Sequence, residues 1–257
     1  MRSGFEIQKA AIFALFLREI RTRFGKYRLG YLWAILQPGG QLLIMLAIAH
    51  FAFGRQTPGI SYSVFFTGGI VSWFLFNNIA IRSLNAVQAN LGLFNYRPVK
   101  PIDAVIARTL IEVIVYSVVY ACLLLFSWAI GDTIKIENLV FLIGVFFLLA
   151  WYSFGIGLIV MTIGDAFPEA ENIIPLLIRP LFYVSGIFFS VGSIPLEYRG
   201  YVLWNPLIHA IELSRNAIFS EYELYDVSLS YLFLCSLVSN VAGLVVYRVQ
   251  ERKMLST

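Results

Sequence analysis

Six long apolar runs constrain the fold of this chain more than any other feature of its sequence. A helix needs about 20 mostly apolar residues to cross a bilayer, and each run has about that length. Only 13% of the 257 residues are charged and 59% are hydrophobic, whereas about 25% of an average soluble domain is charged. The pattern therefore predicts an all-α polytopic membrane protein with six transmembrane helices. The predicted spans cover residues 31–53, 62–81, 104–130, 139–163, 173–191 and 229–247.

Basic residues are concentrated before the first span, between the second and third spans, and in the tail at 248–257. These segments and their flanks contain fourteen of the 19 Lys and Arg residues. Such an excess is typical of short cytoplasmic segments of membrane proteins, so we expect both termini to be cytoplasmic. The fourteen residues are Arg2, Lys9, Arg18, Arg21, Arg23, Lys26, Arg28, Arg82, Arg97, Lys100, Arg108, Arg248, Arg252 and Lys253.

The N-terminal segment 1–30 is predicted to be cytoplasmic and to precede a six-span domain at 31–257. Apolar side chains recur in it at helical spacing, which indicates an amphipathic helix. Such a helix suits the headgroup layer, where basic residues are attracted to anionic lipids. Two functions stay open: an anchor that sets the topology, and an interface helix that also contacts a cytoplasmic partner. The apolar stripe consists of Phe13, Phe16, Leu17, Ile20 and Phe24.

Two connections between spans are longer than simple turns. The cytoplasmic connection at about 84–100 has a short helical stretch followed by prolines. The external connection at about 193–228 contains a stretch, 201–219, that is too apolar for an ordinary exposed loop. Backbone that is not continuous helix is tolerated at membrane depth only where protein or a water-filled cavity covers it. We therefore predict one or two re-entrant external helices before the last span.

Residues that would supply energy or catalysis are scarce in this sequence. The nucleotide-binding pattern GxxxxGK[ST] does not occur, nor do the metal-binding spacings HExxH and CxxC. Glu112 is the only carboxylate well inside a predicted span, whereas carriers driven by protons or sodium usually place acidic or histidine residues near mid-membrane. We expect a conduit without its own energy source, and neither a cofactor nor a metal bound by this chain.

Arg179 lies inside the fifth predicted span and is the most informative single residue. A cation at the centre of a span is costly and normally faces a bundle interior or an aqueous cavity. One interpretation is a structural pairing with a carbonyl or with Glu112. The other is a cation that faces a passage and attracts an anionic substrate.

Aromatic side chains in or beside the spans suggest the rest of a substrate path. Rows of aromatic faces would suit a sliding sugar chain, although Trp and Tyr near span ends are most often interfacial belt residues. The sequence does not separate these alternatives. The predicted path comprises Tyr31, Trp33, Trp73, Phe74 and Tyr183 together with Arg179.

His209, Glu212 and Arg215 follow one another at intervals of three in the external connection. On a helix these side chains share a face. A catalytic His–Glu pair lacks an accompanying nucleophile, so a polar seam that closes an external gate is the favoured hypothesis. A solvated loop helix is the remaining alternative.

Three segments closely resemble one known family. They are ALFLREIRTRFGKYRLGYLWAILQP at 14–38, NLGLFNYRPVKPID at 90–103 and LWNPLIHAIELSR at 203–215. In order and spacing they resemble the capsular-polysaccharide ABC exporter permeases, the KpsM-like proteins of Gram-negative bacteria. The resemblance extends over essentially the whole chain.

This resemblance implies a homodimeric permease in the inner membrane that binds two copies of a separate ABC ATPase, which uses ATP and Mg. It implies a coupling helix at about 89–97, with Phe94, Asn95, Tyr96 and Arg97 in the ATPase groove. It also implies periplasmic and outer-membrane capsule export proteins as partners, and an acidic, lipid-terminated polysaccharide as substrate. A nucleic-acid partner is not expected.

Two alternatives to capsule export remain. One is the same architecture exporting lipopolysaccharide O-antigen or teichoic acid. The other is a polytopic membrane glycosyltransferase, for which the acidic residues Asp165, Glu169 and Glu171 are the only candidate catalytic cluster. We favour reading that cluster as a partner-facing or solvated turn on a short cytoplasmic loop.

Overall fold

The computed structural model describes residues 4–24, 32–53, 61–94, 99–132, 134, 136–219 and 221–254. These residues form helices and turns, and no strand occurs among them, which confirms the all-α class. The helices are α1 (Gly4–Phe24), α2 (Trp33–Phe53), α3 (Tyr62–Ser83), α4 (Leu91–Phe94), α5 (Pro101–Ala129), α6 (Leu139–Ala166), α7 (Ala170–Val184), α8 (Leu196–Leu203), α9 (Pro206–Ile218) and α10 (Leu229–Met254).

Within the described part of the chain, four helices are long and apolar enough to cross a membrane, namely α3, α5, α6 and α10. They correspond to the second, third, fourth and sixth predicted spans. The first predicted span corresponds to α2, in which the apolar stretch covers residues 35–48. The fifth corresponds to α7, which has 15 residues and is therefore about 22 Å long, below the roughly 30 Å of a hydrocarbon core.

The predicted C-terminal boundary of the fifth span is wrong. Helix α7 ends at Val184, whereas the prediction continued to residue 191. Gly186 has a φ of 76°, a backbone conformation that side chains with a Cβ rarely adopt. The chain turns there, although the residues that follow are apolar.

Helix α3 is the centre of the molecule. It is buried along most of its length and packs against α2, α5, α6 and α9. A helix that is apolar on all sides is expected to lie in a core, and α3 is largely apolar in this way as far as Phe76. Its fully buried side chains include Phe66, Ile70, Leu75 and Ile79.

Helices α6 and α10 approach each other closely through small residues. A Cβ added to Gly155 would lie 2.6 Å from the backbone nitrogen of Asn240, and one added to Gly243 would lie 2.6 Å from the carbonyl oxygen of Gly155. The Asn240 side-chain amide donates a hydrogen bond of 2.7 Å to the Trp151 carbonyl. Small residues and interhelical hydrogen bonds are typical of helix association in membranes.

The N-terminal part of α1, the connection before α5 and the C-terminal part of α10 meet at one end of the molecule, which we call the basic end. The Lys100 ammonium lies 3.3 Å from the Glu251 carboxylate, and the Gln8 amide donates to Asp103 at 3.2 Å. Helix α9 lies at the opposite end, beside the start of α3. The segments predicted to be cytoplasmic thus lie at the same end.

The residues of the predicted apolar stripe on α1 lie in two different environments. Phe16 and Ile20 pack against the main core, whereas Phe13 is 59% exposed and Leu17 42%. The most buried residue of the helix is Leu15, at 4%, which the stripe did not include. The side chain of Phe24 lies outside the described residues.

We predict that Gly155→Ala destabilises the protein by about 1–3 kcal/mol, because an added methyl group would overpack the contact with α10. Gly144→Ala is the matched control on the same helix, since no atom lies within 4 Å of a Cβ there, and alanine favours a helix. The melting temperatures of the purified proteins in detergent check this. Equal melting temperatures for the two variants would contradict the prediction.

Candidate functional site

A buried ion pair lies at the end of the molecule opposite the basic end. Glu212 and Arg215 both have no exposed surface, and the Arg215 Nη1 atom lies 2.9 Å from the Glu212 Oε1 atom. Both residues belong to α9, whose first turn is fixed by Pro206 and by the Asn205 side chain, which accepts from the Leu207 amide at 3.1 Å. Asparagine at the cap and proline in the first turn are favoured at helix starts.

The other Arg215 donors bind backbone oxygens. Nε donates to the Phe65 carbonyl at 3.2 Å, Nη2 to the Ile187 carbonyl at 3.0 Å, and Nη1 to the Phe189 carbonyl at 3.2 Å. The guanidinium also lies 3.4 Å from the centre of the Phe65 ring. Because a planar guanidinium donates in several fixed directions, Arg215 joins α3, α9 and the turn after α7.

The carboxylate of Glu212 is held by Tyr222 as well. The tyrosine hydroxyl lies 2.9 and 3.0 Å from the two carboxylate oxygens, and 2.8 Å from the Ser190 hydroxyl. Burial raises the pKa of Glu212, and the neighbouring guanidinium and hydroxyl oppose that rise. Two of the three predicted gate residues thus form a closed, solvent-excluded cluster.

His209 is buried on the same helix but has other partners. Its Nδ1 accepts from the Ser228 amide at 3.0 Å, and its Nε2 lies 2.7 Å from the Leu203 carbonyl oxygen. The ring is therefore neutral, with its proton on Nε2. Since both nitrogens bind backbone, His209 does not form a general-base pair with Glu212. The alternative of a solvated loop helix is wrong, because α9 is buried almost throughout.

A second polar cluster lies toward the basic end, between α1, α3 and α5. The buried Glu112 carboxylate is 2.6 Å from Arg23 and 3.0 Å from Arg82. Glu19 is 3.4 Å from Arg23 and 3.2 Å from Arg108. Three cations and two anions meet there. Glu112, which the sequence offered as a partner for Arg179, is paired with these arginines instead.

Arg179 itself is exposed on α7. Among the residues that the structure describes, no carboxylate lies within 4 Å of its guanidinium. Its neighbours Leu176 and Leu177 are 64% and 65% exposed. Helix α7 therefore packs on the rest of the chain by one side only.

The predicted aromatic path residues lie in different environments. Trp73 is 4% exposed and its ring centre lies 5.5 Å from that of Phe182. This burial does not support a position of Trp73 on the wall of a passage. Tyr183 is 69% exposed. Phe74 and Trp33 are partly buried, Trp33 as the first residue of α2. Tyr31 lies outside the described residues.

The predicted coupling residues are described only in part. Phe94 ends the short helix α4 and packs against an apolar cluster that includes Val87, Val105 and Met161. Asn95, Tyr96 and Arg97 lie outside the described residues. A structural link reaches this segment from α1, because Arg18 donates to the Asn90 side chain at 2.5 Å.

The sequence reasoning missed several members of the two clusters. Tyr222 and Phe65 complete the site around Arg215, and Arg23 and Arg82 complete the site around Glu112. For Arg23 and Arg82, a signal was available, because a carboxylate inside a span requires a cation. For Tyr222 and Phe65 no local pattern in the sequence points to Arg215.

The fold and these clusters define a helical multi-pass membrane protein that contains two clusters of paired charges among its helices. The family model of the ABC-2 type transporter matches residues 10–219. The chain belongs to that family, and it is a membrane subunit of a transporter rather than an enzyme.

Individual relatives agree with this assignment. The chain is 50% identical over 256 residues to the polysialic acid transport protein KpsM of Escherichia coli, covering 100% of this chain and 99% of that protein. It is 27% identical to the capsule polysaccharide export inner-membrane protein BexB of Haemophilus influenzae, over 96% of this chain and 93% of BexB. It is 26% identical to the O-antigen export system permease protein RfbA of Klebsiella pneumoniae, over 90% and 88%.

We predict that Arg215→Met destabilises the protein by about 3–5 kcal/mol, because the Glu212 carboxylate would stay buried without its cation. Combining it with Glu212→Gln should cost much less than the sum of the two single changes, since the two residues interact directly. Denaturation of the purified variants in mixed micelles measures these energies. Additive effects would contradict the proposed coupling.

We also predict that acid weakens the α9 end through His209. Burial lowers the pKa of His209 below its ordinary value of 6.5. Below about pH 6.5 the unfolded chain therefore binds more protons than the folded chain, and stability falls as the pH drops toward the folded-state pKa. Protonation of Nδ1 would also break the bond from the Ser228 amide.

The measurement is the melting temperature between about pH 7.5 and about pH 5.5. His209→Gln is the control, because its amide offers a donor and an acceptor but does not titrate in this range. The wild-type protein should lose more than the variant on acidification. Equal losses would show that another group is responsible.

Proposed function

We propose that this chain is the permease of an ATP-driven exporter that moves an acidic, lipid-terminated capsular polysaccharide across the inner membrane of a Gram-negative bacterium. The observation that carries the proposal is the 50% identity, along the full length, to a protein named for polysialic acid transport. Polysialic acid is an acidic sugar polymer, and the similarity to BexB supports capsule polysaccharide as the substrate class.

In this proposal two copies of the chain form the passage. A single bundle of six spans offers little room for a hydrated polymer, whereas a two-fold interface can enclose a passage. The six spans would include α2 and α7. Support comes from α7, which exposes Leu176, Leu177 and Tyr183 on the side away from its own chain.

Arg179 would face that passage in both copies. A cation on a spanning helix is disfavoured by about 2.5–3.5 kcal/mol at the bilayer centre, so its exposed position supports an aqueous surrounding rather than lipid. Two such cations would attract an acidic polymer. The exposed ring of Tyr183, one turn further along α7, supports the same surface as part of the path, with Phe74, Trp33 and Tyr31 as further members.

The basic end would face the cytoplasm and bind two copies of an ABC ATPase, which would hold ATP and Mg. The coupling helix would lie within residues 84–100 and use Phe94, Asn95, Tyr96 and Arg97. Residues 1–30 would form an interface helix, and the exposed Phe5 and Phe13 of α1 support its contact with lipid.

At the opposite end, residues 193–228 would form a re-entrant external region that faces the periplasm. His209, Glu212 and Arg215 would hold a gate there, and their burial supports a closed state. Periplasmic and outer-membrane export proteins would receive the polymer. A second substrate, O-antigen, is favoured only by the weaker similarity to RfbA.

Replacement of Arg179 tests this function. In a strain that lacks its own permease and carries this chain with its ATPase, Arg179→Gln should reduce surface polysaccharide several-fold and raise the intracellular amount, because the passage loses its attraction for an anion. Arg179→Lys should retain most of the export.

Glu137→Gln, which removes an exposed charge from the connection between α5 and α6, away from the basic end and from α7, is the control and should behave as wild type. Membrane insertion is measured in parallel. Normal surface polymer with Arg179→Gln would refute the role of Arg179. Failure of the unaltered chain to restore any acidic capsule would refute the proposed function itself.

A further inference from the structure

A polar cavity of about 170 Å³ lies between α1, α2, α3 and α5, toward the basic end. On one side is the ion cluster of Arg23, Arg82 and Glu112. On the other are side-chain amides, and two aromatic rings together with Pro38 and Val115 form the rest of the wall. The amide and ring positions are Gln37, Gln41, Asn77, Asn78, Phe74 and Tyr116.

Helical spacing explains why these side chains converge. Gln37 and Gln41 are four residues apart on α2, and Asn78 and Arg82 are four apart on α3, so each pair shares one face of its helix. The Asn78 amide is fixed by hydrogen bonds of 2.9 Å to the Phe74 carbonyl and 2.8 Å to the Tyr116 hydroxyl. This part of the cavity is therefore preorganised.

Three side-chain amides that line the cavity make no hydrogen bond within the described part of the chain. No hydrogen bond joins the side chain of Gln37, Gln41 or Asn77 to another residue in the described part of the chain. Both glutamines are exposed, and Asn77 is half-buried. Asn77 lies six residues before the end of α3, or about 9 Å along the helix. An unbonded amide at that depth is costly against lipid but not against water or a polar ligand.

Arg82, a cation that lines this cavity, is only partly engaged by its carboxylate partner. The buried Glu112 carboxylate is shared by Arg23 and Arg82, and the Arg82 side chain keeps 40% of its surface exposed. Guanidinium groups bind carboxylates through paired hydrogen bonds. The cavity thus offers a donor for an anion next to amides that donate to and accept from hydroxyl groups.

We propose that this cavity binds one acidic sugar residue of the exported polymer, with its carboxylate on Arg82 and its hydroxyls on Gln37, Gln41 and Asn77. A sugar ring has the matching chemistry, because it carries hydroxyls at its edge and C–H groups on its faces, which pack against rings such as Phe74. The inference rests on the proposed function and deepens it, since it assigns a subsite near the entrance of the passage.

Binding of a sialic acid oligomer to the permease–ATPase complex in lipid nanodiscs tests the subsite. The second probe is the same oligomer with its carboxyls reduced to alcohols, which removes the charge and keeps the hydroxyls. Wild type should prefer the acidic probe. Gln41→Leu and Asn77→Leu should weaken binding of both probes by about three- to ten-fold, the usual effect of losing one hydrogen bond.

Arg82 should affect only the acidic probe. Arg82→Gln should weaken its binding by about ten-fold or more, because hydrogen bonds to charged groups are the stronger ones, and should leave the neutral probe nearly unchanged. Arg82→Lys should retain most of the preference for the acidic probe. Asn172→Leu is the matched control, since it removes an exposed amide from the first turn of α7, away from the cavity.

The outcomes separate the subsite from the proposed function. If the unaltered chain restores export and binds the oligomer, but Gln41→Leu and Asn77→Leu bind as wild type does, the subsite is refuted and the function stands. If Arg82→Gln weakens both probes equally, the carboxylate assignment is refuted. If the unaltered chain neither exports acidic polymer nor binds either probe, both proposals fail.

Discussion

Hydrocarbon offers no hydrogen-bond partner, and the arrangement of polar groups in this molecule depends on that constraint. Arg215 shows the consequence most clearly. Its guanidinium is wholly buried, pairs with Glu212 and donates to three backbone carbonyls. A cation satisfied in this way joins α3, the turn after α7 and α9, which are distant in sequence. The end of the molecule that contains α9 is therefore held together by hydrogen bonds and an ion pair as well as by apolar contacts.

In the cluster around Glu112, toward the basic end, not every polar group has a partner within the protein. Three arginines share two carboxylates there, and Arg82 keeps a large exposed fraction beside amides without partners. Polar groups that the fold does not satisfy require water or a ligand. The two clusters thus differ in that the polar groups around Arg215 are satisfied within the protein, whereas some of those around Arg82 are left to water or a ligand.

The sequence predicts α3, α5, α6 and α10 well, because length and apolar character alone are enough to recognise a long span. It places the end of α7 wrongly, because a hydropathy pattern does not register the turn at Gly186. Spacing correctly groups Glu212 with Arg215, but it also includes His209, whose partners are backbone groups of Leu203 and Ser228. Contacts between residues distant in sequence decide these roles, and no local pattern contains them.

Arg179 and Arg215 are both arginines in largely apolar stretches of the sequence, yet the structure gives them opposite environments. Arg215 could bind a polymer only by losing its contacts with Glu212 and three carbonyls, whereas Arg179 has no ion pair to lose among the residues that the structure describes. Both α2 and α7 pack against α3, and Arg179 is nine residues, or about 14 Å, from the start of α7. On the proposed passage an acidic chain would meet Arg82 first and Arg179 further along. Conduction requires successive sites that hold the substrate weakly enough to release it, and two exposed cations of this kind satisfy that requirement better than one buried site.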